Sequence, residues 1–193
     1  MNPKLFQELK EKYDSHIRER REIRVKADEV TSKSKLSIIA LLYDRVGEAK
    51  KHLQKAESIL KELESNFKKN PRLRQEGSYR AALEEYVEAK LFWQVIRENQ
   101  LTFIKGKIPI SYQAYIGGIC DLTGEMLRKA TIDGGEGKYE RIRKYGKIMR
   151  EIQSELAKIN LVGHLRGKRD ALERNCRKIE TMLYDIRKEK RKS

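Results

Sequence analysis

The sequence predicts an all-α fold, a single-domain helical bundle of about six or seven helices over residues 1–193. First, apolar residues recur every three or four positions through most of the chain, which is the spacing of one helix face. Second, no stretch alternates for long between apolar and polar residues, as a strand would. Third, the three prolines, Pro3, Pro71 and Pro109, each lie where a helix could begin or two could be joined.

The first helix is expected from Lys4 to about Asp28. Thr31 and Ser32 could cap a second helix that ends near Phe67. The apolar stripe of this second helix comprises Leu36, Ile39, Leu42, Val46, Ala49, Leu53, Ala56, Leu60, Leu63 and Phe67. The segment KKNPRLRQEGS at 68–78 then breaks the pattern.

Four more helices are expected after this break. They run from about Glu76 to Gln100, from Ser111 to Ala130, from Tyr139 to Ile159, and from beyond Gly163 into a frayed basic tail at 187–193. The segment DGGEG (Asp133–Gly137) is the clearest loop. The last helix has a near-heptad apolar seam, which fits packing inside the bundle and a contact between subunits equally well. This seam consists of Leu165, Leu172, Cys176, Ile179, Leu183 and Ile186.

The composition restricts the partners. The formal net charge is +15, which favours a polyanion such as nucleic acid or an acidic membrane surface. The alternative is a merely soluble basic protein. No apolar run approaches the ~20 residues needed to cross a bilayer, and the first residues lack the apolar core of a signal peptide. We therefore expect a soluble protein without a membrane partner, located in the cytoplasm or, if the source is a eukaryote, in the nucleus.

Neither a disulfide framework nor a zinc site is expected. Cys120 and Cys176 are too few for the former, and we expect both to be reduced and buried. The histidines His16, His52 and His164 lie far apart, outside any zinc-binding motif.

Two glutamates interrupt the apolar face of the third helix. At ~100° per residue, Glu85 lies near the middle of an arc that contains Phe92 and Ile96, and Glu88 lies within that arc. Buried carboxylates are costly unless a cation or a metal compensates them. Positions that break the binary pattern are therefore candidates for function. The alternative is a pair of buried salt bridges to Arg or Lys.

The fourth helix has a second carboxylate pair. Asp121 and Glu125 share a face with Gly117, Gly118 and Gly124. Glycine inside a helix costs roughly 1 kcal/mol relative to alanine, which makes sense if something must approach the backbone closely. A close contact between two helices, with solvated carboxylates at its edge, would explain the same pattern.

The two pairs could converge if these helices pack side by side. Such a set of oxygen ligands suits Mg²⁺, with Mn²⁺ as the alternative. A metal held there could activate water for attack on a phosphate. A ferritin-like di-iron site would need Glu-x-x-His pairs, and no histidine lies near either motif. A basic surface around an acidic metal pocket is typical of a nuclease.

Two segments carry a resemblance to a known family. LEEYVEAKLF (Leu83–Phe92) and YIGGICDLTGEMLRKA (Tyr115–Ala130) resemble the translin superfamily, and within it they look most like translin-associated factor X. The segment Arg18–Arg45 is similar to the N-terminal region of that family. The resemblance implies a closed oligomer, with an octamer expected, that binds single-stranded or short duplex RNA, or single-stranded DNA. It also implies Mg²⁺-dependent endoribonuclease activity.

The resemblance also assigns residues. The catalytic and metal-binding set would be Glu85, Glu88, Asp121 and Glu125, and Lys35 would contact the scissile phosphate. Translin itself lacks this acidic set and mainly binds, so its retention favours a nuclease. The alternatives are a noncatalytic oligomer that binds single-stranded DNA or RNA, and a scaffold whose last helix serves assembly only.

The chain departs from the animal factor in two respects. It is shorter between the third and fourth helices, and no nuclear import segment precedes the fold. It therefore looks like a compact prokaryotic form, for which a homo-oligomer is expected and a translin partner chain is left open.

Contacts with RNA are expected from basic residues near the end of the first helix and around the start of the third. Phosphate contacts give affinity without sequence readout, and a tyrosine could stack on a base. Each arginine could instead be a solvated or ion-paired surface group. The predicted nucleic-acid-binding residues are Arg18, Arg21, Arg24, Arg72, Arg74, Tyr79, Arg80 and Arg128.

Overall fold

The computed structural model describes residues 3–68, 70–98 and 100–190, without the side chains of Pro3 and Lys190. Within these ranges it contains six α-helices and no strand, which confirms the all-α prediction. The helices are α1 (Pro3–Leu42), α2 (Val46–Phe67), α3 (Gly77–Glu98), α4 (Tyr112–Gly135), α5 (Tyr139–Ala157) and α6 (His164–Lys190), with a short 3₁₀ turn at Pro71–Gln75.

The first helix boundary was predicted in the wrong place. Helix α1 runs unbroken for 40 residues, about 60 Å at the usual rise per residue, and the chain reverses at 43–45, where Asp44 has a φ of 58°. Thr31 and Ser32 lie inside α1 and cap nothing. One face of α1 packs against α2 and α3, and its residues, among them Ala27, Val30 and Ile38, are therefore buried. This packing outweighs the weak local preference of Thr and Ser for a cap.

The predicted DGGEG loop is also shorter than expected. Helix α4 continues to Gly135, and the turn is confined to 136–138, where Gly137 has a φ of 73°. Asp133 is fully buried, lies 3.0 Å from Lys129 one turn earlier, and accepts a hydrogen bond from the Tyr145 hydroxyl. These contacts hold Asp133 in helical conformation.

The apolar seam of α6 packs inside the bundle. All six seam residues, from Leu165 to Ile186, are buried, and α6 packs on α4 and α5. The intrachain alternative therefore accounts for the pattern. The predicted frayed tail is helical as far as Lys190, and residues 191–193 lie outside the described residues. No helix in the described ranges combines the length and apolar character needed to cross a membrane.

Helices α3 and α4 approach each other very closely, and this contact positions the candidate site. A Cβ atom on Gly118 would lie 2.7 Å from Val87 Cγ1 and 3.0 Å from the backbone nitrogen of Glu88. A side chain at 118 would therefore force the helices apart. Helix α3 is packed between α1 on one side and α4 on the other, so side chains from all three helices can meet.

Candidate metal and nucleic-acid site

The structure brings the two carboxylate pairs into one electrostatically coupled group, which we call the acidic cluster: Glu85 and Glu88 on α3, Asp121 and Glu125 on α4. Glu88 is buried, whereas the other three are half-buried. Asp121, Glu85 and Glu125 each raise the pKa of Glu88. The helical-wheel argument places each pair on one helix face, and the packing of α3 on α4 brings the two faces together.

Glu88 is the most perturbed member of the cluster. Burial is the largest cause, and the negative charges of Asp121, Glu85 and Glu125 add to it, so that the pKa of Glu88 rises to about 9. Lys168 acts in the opposite direction but does not compensate. A carboxylate in such surroundings takes up a proton near neutral pH unless another cation neutralises the group.

The pKa values of Glu85 and Glu125 are also raised, chiefly by burial. Each forms an ion pair: Lys35 Nζ lies 3.5 Å from Glu85 Oε1, and Arg128 lies 3.6 Å from Glu125 Oε2. The charge of Lys168 also acts on Glu85. Both Lys35 and Arg128 are exposed. The Oε2 atom of Glu125 is buried and makes no hydrogen bond. Its ion pair with Arg128 is long, so this oxygen can still bind a cation.

Two residues of this region escaped the sequence analysis. Lys168, at the start of α6, donates one hydrogen bond to Asp121 Oδ2 and lies 2.6 Å from Glu84 Oε1. Pairing between residues so far apart in the chain leaves no periodic signal. For Glu84 the sequence offered an indirect signal, the glycine at position 117. A Cβ on Gly117 would lie 2.3 Å from Glu84 Oε2. This carboxylate occupies the space left by the missing side chain of Gly117.

The donor set fits a hard divalent cation. The acidic cluster offers half-buried carboxylate oxygens, the ligands that Mg²⁺ and Mn²⁺ prefer. Burial is the largest cause of the raised pKa values of Glu85, Glu88 and Glu125, and for Glu88 the charges of the other three carboxylates come next, so a bound cation would relieve an unfavourable arrangement. The oxygens of the acidic cluster do not converge on one point. Among the described residues, three carboxylates do have ligand atoms within 4.8 Å of one another, but they lie elsewhere in the fold.

That other set is Asp44, Asp133 and Glu136, where the α1–α2 turn meets the end of α4. Its spacing could hold a cation, but three side chains of the protein already neutralise it. Lys129 lies 3.2 Å from Asp44 and 3.0 Å from Asp133, and it also donates to the Leu42 carbonyl. Lys138 and Arg141 contact Asp44 as well. This is an ion-pair network that joins two turns.

The predicted basic residues of α1 are available to a ligand. Arg18, Arg21 and Arg24 are exposed. Arg21 and Arg24 line a groove between α1 and the start of α3, together with Arg20, which is paired with Glu76 at 2.9 Å. Arg72 and Arg80, beyond this groove, are exposed too.

Two of the predicted nucleic-acid-binding residues, Arg74 and Tyr79, form contacts within the chain. Tyr79 is 1% exposed, packs edge-on against Phe67 at 4.8 Å, and donates its hydroxyl hydrogen bond to Glu64, so its ring cannot stack on a base. Arg74 binds the same carboxylate through two nitrogens. Together Arg74, Tyr79 and Glu64 stabilise the junction between α2 and α3, because the buried carboxylate needs both donors.

Comparison with known proteins places these observations in a family context. The sequence model described as "Translin family" matches residues 17–187. The translin-associated protein X homolog of Schizosaccharomyces pombe is 26% identical over 110 residues, covering 53% of this chain and 48% of the relative. The match thus spans about half the length of that curated relative.

Two solved structures share the fold. The structure described as apo-NeC3PO has a TM-score of 0.84 and 26% identity, covering 95% of this chain and 97% of that one. The AfC3PO–duplex RNA complex has a TM-score of 0.85 and 21% identity, covering 94% and 96%. The fold described above therefore has solved counterparts.

Proposed function

This chain belongs to the translin family, and from that premise we propose that it is a Mg²⁺-dependent endoribonuclease acting on single-stranded or short duplex RNA inside a closed oligomer. The observation that carries the proposal is the acidic cluster, a group of four buried or half-buried carboxylates at the α3–α4 contact, in a chain of net charge +15. The duplex RNA bound by AfC3PO supports RNA as the ligand.

Glu85, Glu88, Asp121 and Glu125 would hold the cation, with Mn²⁺ as a substitute for Mg²⁺. When bound, the cation would supply Lewis acidity and positive charge at the phosphate under attack. Lys35 lies exposed beside Glu85, where its ammonium can contact the scissile phosphate. Arg128 is likewise exposed, beside Glu125, and its guanidinium can contact a neighbouring phosphate.

The positive groups around the cluster would hold the RNA backbone. Arg18, Arg21 and Arg24 on α1, with Arg72 and Arg80 near the start of α3, offer exposed guanidinium groups. Contacts of this kind recognise phosphate and not base sequence. The proposed enzyme therefore binds many RNA sequences and loses affinity as the salt concentration rises.

Assembly is supported by the N-terminal part of α1. Leu5, Phe6, Leu9 and Tyr13 are each more than half exposed on this segment. Every side chain from Lys4 to His16 is exposed, and an apolar stripe at helical spacing on such a segment is typical of a subunit contact. We propose a homo-oligomer, and an octamer from the family resemblance.

The test is cleavage of a labelled single-stranded RNA by the full chain, with Mg²⁺ or with EDTA, beside Glu88→Gln. The matched control is Glu98→Gln, which removes an exposed carboxylate from the end of the same helix. We expect Mg²⁺-dependent cleavage by the wild type and the control, and none by Glu88→Gln. Cleavage that persists in EDTA or in Glu88→Gln contradicts the proposal.

One observation favours a second candidate, a noncatalytic oligomer that binds nucleic acid. Lys35, Lys168 and Arg128 each contact a carboxylate of the cluster, as a purely structural role for these carboxylates would require. This candidate predicts RNA binding without cleavage under both cation conditions.

A further inference from the structure

Lys168 lies between the acidic cluster and a carboxylate outside it. Its ammonium nitrogen hydrogen-bonds to Asp121 Oδ2 on α4 and lies 2.6 Å from Glu84 Oε1 on α3. Burial lowers the pKa of Lys168, but the hydrogen bonds of Asp121 and Glu84 outweigh it and raise the value. The side chain is therefore a fixed positive charge that joins α6 to the α3–α4 contact.

Glu84 has a space of its own in this contact. Its carboxylate lies over Gly117, where a Cβ would be 2.3 Å from Oε2. Only 19% of its side chain is exposed. The Glu84 carboxylate thus occupies the space that Gly117 leaves on α4, beside Lys168.

This geometry places Lys168 in competition with a metal. Asp121 is the cluster carboxylate that Lys168 contacts, and the cluster oxygens are not gathered around one point. A divalent cation next to an ammonium group would be repelled by it. If Lys168 released Asp121, its charge would still be paired with Glu84, so no buried charge would be left alone.

We propose that Lys168 is a resident counter-ion that occupies Asp121 in the metal-free protein and competes with the divalent cation for it, while Glu84 retains the ammonium when Asp121 turns to the metal. The inference rests on the proposed function only in taking Asp121 as a metal ligand. It does not depend on RNA cleavage.

The test is Mn²⁺ binding to the full chain without RNA, measured by titration calorimetry, for the wild type, Lys168→Met, Glu84→Gln and the double variant. We expect Lys168→Met to bind Mn²⁺ about tenfold more tightly, which corresponds to about 1.4 kcal/mol. Glu84→Gln should bind more weakly, because Lys168 is then left to Asp121 alone. The double variant should resemble Lys168→Met, since Glu84 acts through Lys168.

The control is Lys178→Met, which removes an exposed positive charge from the same helix. It should leave Mn²⁺ affinity unchanged, so that a general effect of net charge is separated from competition. If Lys168→Met fails to fold, the sign of the Glu84→Gln shift decides: weaker binding supports the inference, and equal or tighter binding overturns it.

Unchanged, weaker or absent Mn²⁺ binding by folded Lys168→Met also overturns the inference. Tighter binding by Lys168→Met in a protein that cuts no RNA would support the counter-ion and refute the nuclease. Mg²⁺-dependent cleavage with unchanged Mn²⁺ affinities would support the nuclease and refute the counter-ion.

Discussion

Glu88 of α3 is buried within the electrostatic reach of Asp121 of α4, which is the carboxylate that most strongly raises the pKa of Glu88. Burial is the larger cause of the shift, and together with the charges of Asp121, Glu85 and Glu125 it raises that pKa to about 9 against the opposing charge of Lys168. A protein gains nothing in stability from this arrangement when no cation is bound, because like charges in a region of low polarity destabilise the fold. The relationship is understandable if the cluster exists to bind a cation.

Glu88→Gln should change how stability depends on pH. Between the ordinary pKa of glutamate, 4.5, and about 9, folded Glu88 holds a proton that the unfolded chain releases. The free energy of unfolding therefore falls as pH rises through this window, by up to about 1.4 kcal/mol per unit. Glu88→Gln should flatten that slope in urea titrations at several pH values in EDTA. Parallel slopes for wild type and variant would show that the carboxylate is ionised in the folded chain.

Asp121→Asn should abolish cleavage and leave RNA binding intact. The amide keeps the size of the side chain but removes a negative metal ligand, whereas the arginines that would hold the phosphates are untouched. RNA cleavage and fluorescence anisotropy on the same preparation separate the two effects. A variant that cuts at the normal rate would remove Asp121 from the proposed site.

Gly118→Ala and Gly124→Ala should shift stability in opposite directions. A Cβ at 118 would meet Val87 at 2.7 Å, so the helices must separate, at a cost of about 1–3 kcal/mol. At 124 the new Cβ would lie 3.7 Å from Asn175 Nδ2, which is an ordinary contact. Because alanine has a higher helix propensity than glycine, Gly124→Ala should raise the free energy of unfolding by up to about 1 kcal/mol. Thermal unfolding of both variants checks the sign. Equal effects would mean that the α3–α4 contact tolerates a methyl group.

Arg21→Ala and Arg24→Ala should weaken RNA binding without affecting the fold. Each loses one phosphate contact, so the slope of log affinity against log salt should shrink by about one unit. Arg74→Ala is the informative contrast. It leaves the buried carboxylate of Glu64 without its guanidinium partner, so its main effect should be a lower free energy of unfolding. Anisotropy at several salt concentrations, together with thermal unfolding, distinguishes the two kinds of arginine. An unchanged salt slope in both α1 variants would exclude that helix from the RNA surface.

Leu5→Glu combined with Leu9→Glu should dissociate the proposed oligomer. Both side chains are about half exposed on the N-terminal part of α1, and a charge at either position cannot be buried against another subunit without a partner. Light scattering after size-exclusion chromatography measures the mass. Lys10→Glu, which alters an exposed and already charged position, should retain the wild-type mass. An unchanged mass for the leucine variant would place the subunit contact elsewhere.

The sequence by itself determined the helical class, the basic surface and both carboxylate pairs. These features depend on local periodicity: helix geometry alone places Glu85 near Glu88, and Asp121 near Glu125. Gly117 and Gly118 also indicated a close approach, which the structure shows to be that of α3, whereas Gly124 has only an ordinary contact with Asn175 of α6.

Only the tertiary structure decided where the first helix ends, because burial against α2 and α3 overrides the capping preference of Thr31 and Ser32. It also decided that Tyr79 and Arg74 donate hydrogen bonds to Glu64, and that Lys168 and Glu84 lie beside the acidic cluster. Each of these outcomes depends on a contact between different helices or between a helix and a turn. A charge or a hydroxyl has no periodic pattern that reveals its partner, so such pairs emerge only when the helices pack.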